Sequence, residues 1–263
     1  FFTCVDSLTA SIISGLLQGL LEWLPVSSEG NMVILLTQLF GYGVEETLNT
    51  SIFLHLGTGL AALIYFREPV QNILLMKTPE DKDMFYRLLV MTGLTGLVGF
   101  PIFMFLNVSA PLGEALLALT GVALIATGLI QRQASKSTRE GSELSWPLTI
   151  LLGVAQGLAI IPGLSRSGIT TSILLFKNFD GEEAFRVSFL MSIPASFAAA
   201  FGLMIVKGFQ PDMYSGFAAI VAALVGYLTI GRLLALAREV SFWKICVGLG
   251  TLSILAWLPN LAF

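Results

Sequence analysis

Two short polar motifs interrupt the apolar stretches of this sequence and carry the side chains best suited to chemistry. The first motif is Pro25-Val26-Ser27-Ser28-Glu29-Gly30, and the second is Pro162-Gly163-Leu164-Ser165-Arg166-Ser167-Gly168. Paired hydroxyls and an arginine between two serines are groups that bind an anion. A guanidinium matches phosphate through paired hydrogen bonds, and helices that start after each proline would add free N–H groups. The two motifs together therefore predict one phosphate site.

A simpler role for the first motif is helix capping. Pro25 ends one helix because it cannot continue the hydrogen-bond ladder. Ser27 or Ser28 can then cap the next helix, and Glu29 complements its positive end. This explanation does not cover the second motif, in which Arg166 occupies the place of Ser28.

Glu22 is a further candidate because it is a carboxylate at the end of the apolar stretch 7–24. Gln18 lies four residues earlier, so both side chains share one face of a helix. Ionisable groups at membrane depth usually serve a function. The alternatives are a structural hydrogen bond for Glu22 and extension toward the membrane surface for Arg166.

Other polar residues have less specific signals. His55, the only histidine, can be a base or a ligand, or a hydrogen-bonded packing residue. Thr170 can supply a hydroxyl to the site or pack between helices. The acidic runs Glu45-Glu46 and Glu80-Asp81-Lys82-Asp83 are expected in solvated loops.

The composition predicts a membrane protein. Hydrophobic residues make up 55% of the 263 residues and charged residues 12%, whereas a soluble domain carries about 25% charged residues. The mean hydropathy is +0.84, and the sequence has no basic stripe for nucleic acid. We therefore expect an all-α integral membrane fold with one polytopic domain, 1–263.

The lengths of the apolar stretches predict six transmembrane helices and two re-entrant hairpins. A spanning helix needs about 20 apolar residues. Shorter stretches face each other across each motif, as in a hairpin that enters and leaves on the same side. The six spans are expected at about 49–66, 84–106, 111–131, 183–207, 213–236 and 241–262, and the half-length pieces at 7–24, 31–40, 147–161 and 167–177.

The two halves of the chain, 1–131 and 147–263, resemble each other. Gly15-Leu16-Leu17-Gln18-Gly19-Leu20 matches Gly153-Val154-Ala155-Gln156-Gly157-Leu158, and the serine-containing motifs follow at the same offset. Three spans per half make the repeats inverted, which predicts a site at their interface. Lysine and arginine concentrate in three loops that should be cytoplasmic. The first hairpin then enters from the outside.

The motifs resemble the two signatures of the undecaprenyl-diphosphate phosphatases of the bacitracin-resistance type. The first signature is similar to Gln18-Gly19-Leu20-Leu21-Glu22-Trp23-Leu24-Pro25-Val26-Ser27-Ser28-Glu29-Gly30-Asn31, and the second to Pro162–Gly168. The resemblance covers the whole chain in length, span order and repeat. It implies a hydrolase that converts a polyprenyl diphosphate to the monophosphate carrier lipid in the cell (plasma) membrane. It also implies a site that faces the outer side and a divalent cation, Mg²⁺ or Ca²⁺.

The resemblance assigns roles to individual residues. Ser28, Glu22 and Arg166 are the expected catalytic residues, and Glu22 is also the expected metal ligand. A homo-oligomer is a further expectation, alongside the polyprenyl lipid and the bilayer as partners. The expected substrate-binding residues are Ser27, Gln18, Asn31, Ser165, Ser167 and Thr170.

Two positions depart from the family pattern. Gln18 stands where the family has a glutamate, and Asn31 stands where it has a histidine. The proton acceptor is then Glu22 or His55, and Ser28 either attacks phosphorus or orients a water. These departures also favour the alternative function, a flippase or transporter for polyprenyl phosphate or another anion.

Overall fold

The computed structural model describes residues 7–108, 115–134, 143–239 and 243–257, and these ranges contain helices and no strands. The all-α prediction is confirmed for this part of the chain. The eleven helices are α1 (Ser7–Leu21), α2 (Ser28–Phe40), α3 (Val44–Tyr65), α4 (Arg67–Leu74), α5 (Pro79–Val108), α6 (Ala115–Ala134), α7 (Trp146–Leu158), α8 (Arg166–Phe176), α9 (Gly181–Lys207), α10 (Met213–Glu239) and α11 (Trp243–Trp257).

Four of the described helices, α3, α5, α9 and α10, are long and apolar enough to cross a membrane. They coincide with four of the six expected spans, which supports an integral membrane protein. The other two expected spans, 111–131 and 241–262, overlap α6 and α11 but extend into residues outside the described ranges. The count of six spans therefore stays a prediction.

Half-length helices flank each polar motif, as the sequence predicts. The first pair is α1 and α2, with 15 and 13 residues. The second pair is α7 and α8, with 13 and 11 residues. At 1.5 Å of rise per residue, each helix spans less than the hydrocarbon core of a bilayer, about 30 Å. Each motif thus forms a turn between two short helices.

Glycines allow two pairs of helices to approach closely. On α1, a Cβ added to Gly15 would lie 2.6 Å from the carbonyl oxygen of Ala218 in α10. On α7, a Cβ added to Gly157 would lie 2.8 Å from the side chain of Val98 in α5. Small residues at such spacing let membrane helices pack backbone against backbone. The repeated glycine-containing segments therefore form the packing faces of α1 and α7.

The acidic runs and the segment after α3 differ from expectation. Glu45-Glu46 and Glu80–Asp83 are largely exposed, but they lie in the first turns of α3 and α5 and not in loops. Acidic residues at these places complement the positive ends of the helices. Arg67–Leu74 forms α4, which the sequence analysis did not predict because its apolar residues occupy only one face.

Candidate functional site

The turns after α1 and α7 place the first residues of α2 and α8 at one polar pocket. Ser27 caps α2, because its hydroxyl oxygen accepts from the amide of Gly30 at 3.1 Å. Ser165 caps α8 in the same way, accepting from the amide of Gly168 at 3.1 Å. Serine at this position satisfies one of the free amides of the first turn. The prediction of a capping serine in the first motif is confirmed for Ser27.

Hydrogen bonds join the two turns directly. The Ser27 hydroxyl oxygen also accepts from the amide of Gly163 at 3.1 Å. The Ser167 hydroxyl donates to the carbonyl of Leu24 at 3.0 Å. Gly163 has a φ of 95°, and an added Cβ would lie 2.3 Å from the carbonyl oxygen of Thr120. Glycine is therefore required where the second turn crosses α6.

Polar side chains of α6 hold both turns from outside the pocket. The Gln131 amide nitrogen donates to the carbonyl of Pro25 at 2.5 Å. The Thr127 hydroxyl donates to the carbonyl of Gly163 at 3.3 Å and accepts from the amide of Ser165 at 3.3 Å. Gln131 and Thr127 were not among the predicted site residues. Their only sequence signal is a polar side chain within an apolar helix.

Glu22 lies at the centre of the site and binds four partners. Its Oε1 accepts from Arg166 Nη2 at 2.5 Å. Its Oε2 accepts from the Ser28 hydroxyl at 2.9 Å and from Gln18 Nε2 at 3.1 Å, and lies 3.3 Å from His55 Nε2. A buried carboxylate is stable only when it is paired and hydrogen-bonded. The structure thus brings together all three predicted catalytic residues, along with Gln18 and the candidate base.

The guanidinium of Arg166 is held on two further sides. Its Nη1 donates to the carbonyl of Ser188 at 3.3 Å. Its Cζ lies 5.2 Å from the ring centre of Phe189, which packs on Trp23 at 5.4 Å between ring centres. The side chain is 16% exposed and points toward Glu22. This arrangement favours an anion-binding role over extension toward the membrane surface.

Glu29 is a site residue that the sequence analysis treated only as a complement to the α2 dipole. Its Oε1 lies 3.9 Å from His55 Nε2. The other ring nitrogen of His55, Nδ1, lies 2.8 Å from the carbonyl of Ser51 and therefore carries a hydrogen. Nε2 then faces two carboxylates, Glu22 and Glu29. Proximity of His55 to the site favours function over packing, and its role as a base stays a prediction.

Apart from Gln18, which bonds to Glu22 and does not line the polar pocket, the predicted substrate-binding residues fall into two groups. Ser27, Ser165 and Ser167 line the polar pocket. Asn31 instead donates to the carbonyl of Ser27 at 2.8 Å. Thr170 donates to the carbonyl of Arg166 at 2.7 Å, and its hydroxyl lies 2.7 Å from that of Ser188. Neither Asn31 nor Thr170 lines the pocket, so their side chains support the helices around it.

The polar pocket opens into a larger apolar cavity. The polar pocket has a volume of about 30 Å³, and the apolar cavity about 230 Å³. Glu29, His55 and Arg166 line both spaces. The cavity lies between α5 and α9, which touch only sparsely, and Gly96 and Gly202 leave it wide. The charged site therefore has an apolar extension between two candidate membrane spans.

Oxygen atoms at the site suit a hard cation. Within the described residues no group of three His, Cys, Asp or Glu side chains is placed to hold a metal ion. Glu22 nevertheless offers a carboxylate, and Gln18 Oε1 beside it is buried without a hydrogen-bond partner. Mg²⁺ is commonly held by one or two carboxylates, with phosphate oxygens and waters completing its shell. The residues therefore fit a cation that is bound together with a phosphate.

Three curated relatives are similar to this chain over nearly the full length of both sequences. An undecaprenyl-diphosphatase of Methanococcoides burtonii is 42% identical over 95% of this chain and 98% of its own length. One of Haloarcula marismortui is 39% identical over 97% of this chain and 98% of its own length. One of Methanothrix thermoacetophila is 38% identical, with 95% and 96% covered.

The match to a protein family covers the described core and both motifs. The model of the bacitracin resistance protein BacA family matches residues 11–252. This range includes the Glu22 cluster, both capping serines and the apolar cavity. The chain belongs to the bacitracin resistance protein BacA family.

Proposed function

We propose that this protein is a membrane phosphatase that hydrolyses a polyprenyl diphosphate of the undecaprenyl type to the monophosphate carrier lipid and inorganic phosphate. The observation that carries the proposal is the cluster of Glu22, Ser28 and Arg166 in a polar pocket that adjoins an apolar cavity. An anion site and an apolar cavity that share lining residues match a lipid with a phosphorylated head. The names of the archaeal relatives agree with this substrate.

The two spaces accommodate the two parts of the substrate. The diphosphate would enter between the starts of α2 and α8, and the prenyl tail would lie between α5 and α9. A volume of 30 Å³ is about that of one water molecule. Arg166 would therefore have to exchange Glu22 for a phosphate when the substrate binds. Glu29 and His55, at the junction, would face the bridging region of the diphosphate.

Ser28 is the proposed nucleophile. Its hydroxyl already donates to Glu22 Oε2 at 2.9 Å, so this carboxylate can take the proton as the oxygen attacks the terminal phosphorus. The bond from phosphorus to the bridging oxygen then breaks and releases the prenyl monophosphate. Water hydrolyses the phosphoserine in a second step. Alternatively, Ser28 orients a water that attacks directly, and His55 takes the proton.

Arg166 and the two helix N-termini stabilise the charge on the transferring phosphoryl group. Glu22, together with Gln18 Oε1, would hold the divalent cation, Mg²⁺ or Ca²⁺, that the family resemblance implies. Such a cation neutralises charge on phosphate oxygens. Gln18 keeps an oxygen ligand but lacks the charge of a glutamate.

We further infer six membrane spans and two re-entrant hairpins in inverted repeats, in the plasma membrane with the site toward the outer side. Matching helix contacts support the repeat. α1 packs on α10 as α7 packs on α5, and α2 packs on α3 as α8 packs on α9. The lysine and arginine distribution supports the orientation.

Phosphate release from undecaprenyl diphosphate by purified protein, with and without EDTA, tests the function. Ser28→Ala and Arg166→Ala should each lower kcat about 10²- to 10³-fold, because each removes a group that acts on the transferring phosphoryl. His55→Ala should lower kcat sharply only if His55 accepts the proton. Ser172→Ala is the matched control, since its hydroxyl bonds within α8 to Gly168. Release equal in the parent, Ser28→Ala and Arg166→Ala would refute the phosphatase.

A flippase or transporter for polyprenyl phosphate is the second candidate. It is favoured by one observation: α5 and α9 leave a cavity between them, whereas α3 and α10, their counterparts in the proposed repeat, pack closely. Unequal packing of equivalent helices is a feature of transporters that alternate between two faces. Movement of a fluorescent prenyl phosphate across proteoliposomes, in the absence of phosphate release, would favour this function.

A further inference from the structure

The apolar cavity has a cationic side chain at each of its two ends. At one end Arg166 lines the cavity, and its Nη1 donates to the carbonyl of Ser188 in the first third of α9. At the other end the lining residues are Gly202 and Phe103, near the ends of α9 and α5. Lys207 Nζ lies 5.9 Å from the ring centre of Phe103. Lys207 therefore lies beside the end of the cavity opposite to Arg166.

Lys207 is only weakly paired. Its Nζ lies 3.9 Å from Glu45 Oε1, and the Glu45 side chain is 73% exposed. An exposed ion pair of this kind contributes about 0–1 kcal/mol. The other lysines and arginines of α5 and α9 are Lys82, Arg87 and Arg186, which lie near the beginnings of these helices. A phosphate group that reaches this end of the cavity can therefore displace the Glu45 carboxylate from the single cation there.

The cavity wall between the two cations contains a hydroxyl without a partner. Ser196 of α9 lines the cavity and is 7% exposed. Its hydroxyl oxygen is not fully enclosed and has no hydrogen-bond partner among the described residues. By contrast, Ser192 and Thr92 on the same lining donate to carbonyls of their own helices. Buried hydroxyls are normally hydrogen-bonded, and a prenyl tail offers no group for such a bond. Ser196 therefore indicates a polar group that passes through the apolar cavity.

We propose that the diphosphate head of the lipid substrate enters the apolar cavity first, bound initially by Lys207 and then moving along α9 past Ser196 to Arg166. This inference rests on the proposed phosphatase function and adds an entry route to it. Lys207 exchanges Glu45 for a phosphate oxygen, and Ser196 donates to the head inside the cavity. The prenyl tail follows between α5 and α9. In the proposed orientation Lys207 lies toward the outer side, and it acts on binding rather than on phosphoryl transfer.

Stopped-flow tryptophan fluorescence on the full-length Ser28→Ala protein measures entry without turnover. Trp23 is the reporter, because it packs on the Phe189 ring that contacts Arg166. The probe is farnesyl diphosphate, a short prenyl diphosphate, at low ionic strength. Lys207→Met keeps the apolar stem and removes the charge. It should slow association about three- to tenfold, because a charge at the rim of a site acts mainly on the association rate.

Variants at three further positions, and a conservative change of Lys207, distinguish initial binding by Lys207 from a structural ion pair. Lys207→Arg should restore the parent rate, and added NaCl should reduce the difference between Lys207→Met and the parent. Ser196→Ala should slow association about twofold or more, as loss of one hydrogen bond does. Lys82→Met, at the opposite end of α5, is the matched control and should leave the rate unchanged. Glu45→Gln should leave association unchanged or speed it, because it frees Lys207.

Two results would overturn the entry route. One is an equal association rate in the parent and Lys207→Met. The other is equal slowing by Glu45→Gln and Lys207→Met, which would mean that the ion pair alone matters.

Phosphate release from undecaprenyl diphosphate in nanodiscs separates this inference from the proposed function. In the protein with Ser28 intact, Lys207→Met should raise KM about three- to tenfold and leave kcat unchanged. A lower kcat with unchanged KM would contradict the role of Lys207 in entry. If the parent released no phosphate, the phosphatase would be refuted, whereas the association rates would still decide whether Lys207 binds the diphosphate first.

Discussion

The helix pairs α3–α10 and α5–α9 occupy equivalent positions in the proposed repeat, but the first pair is closely packed and the second is not. Between α3 and α10, a Cβ added to Gly57 would lie 2.2 Å from the carbonyl oxygen of Ala219, so the two backbones are in contact. Between α9 and α5, Cβ atoms added to Gly202 or Gly96 would have no neighbour within 4 Å. Glycine therefore allows close contact between α3 and α10, whereas it leaves open space between α5 and α9. The same residue type serves packing or binding, depending on what the opposite helix presents.

The largest effect on stability is expected from adding a methyl group where two helix backbones are already in contact. Gly57→Ala would push α3 from α10 and should lower the free energy of unfolding by about 1–3 kcal/mol, as overpacking does. The matched change, Gly202→Ala, adds a methyl group in open space. It should leave the free energy of unfolding unchanged or raise it by up to about 1 kcal/mol through helix propensity. Reversible unfolding in SDS-containing mixed micelles measures both. Equal destabilisation by the two changes would contradict the difference in packing between the α3–α10 pair and the α5–α9 pair.

The apolar cavity between α5 and α9 can be filled without a change to the charged site. Gly96→Phe would place a ring in the apolar cavity and exclude the prenyl tail. We expect kcat/KM for undecaprenyl diphosphate to fall about tenfold or more, equivalent to about 1.4 kcal/mol. Cleavage of a short, water-soluble prenyl diphosphate should change less, because its tail needs less of the cavity.

Gly93→Phe on the same helix is the control for this variant. Gly93 is exposed, has open space around it and does not line the cavity. The control should keep the parent activity on both substrates. A loss that is equal for long and short substrates in the Gly96→Phe variant would place the tail elsewhere.

A smaller effect is expected where polar groups hold the cavity wall. The Thr95 hydroxyl of α5 donates to the carbonyl of Met91 in its own helix at 2.8 Å and lies 3.2 Å from the carbonyl of Gly153. It also accepts from Gln156 Nε2 at 3.0 Å, and the contacts with Gly153 and Gln156 tie α5 to α7. Thr95→Val should lower the free energy of unfolding by about 1 kcal/mol. Thr92→Val should have little effect, because the Thr92 hydroxyl bonds only within α5, to Leu88. Chemical unfolding compares the two, and equal losses would refute the tie between helices.

Local features of the site were predictable from the sequence. Pro25 and the serines after it mark the end of one helix and the cap of the next, since both effects act within a few residues. The matched spacing in the second motif predicted Ser165 and Arg166 at the start of α8, where the structure has them. The resemblance of the motifs to known signatures then selected Glu22, Ser28 and Arg166 from many polar residues.

Contacts between distant segments were not predictable in the same way. His55 reaches Glu22 only because α3 packs beside α1 and α2. Glu29 has no periodicity or spacing that indicates its place between two cavities. The open space between α5 and α9 also has no sequence signal. α5 and its counterpart α10 are equally apolar spans, although only α10 is closely packed against its partner helix. Their difference lies in where each helix stands relative to its neighbours.

The pairing of Arg166 with Glu22 has a consequence for product release in the proposed reaction. An arginine that gave up a phosphate with no other partner would remain as a bare cation in a poorly hydrated place, and that cost would slow dissociation. Here the guanidinium can return to Glu22, whose Oε1 lies 2.5 Å from Arg166 Nη2. Inorganic phosphate therefore competes with an internal carboxylate. We expect this ion pair to weaken inhibition of the reaction by inorganic phosphate.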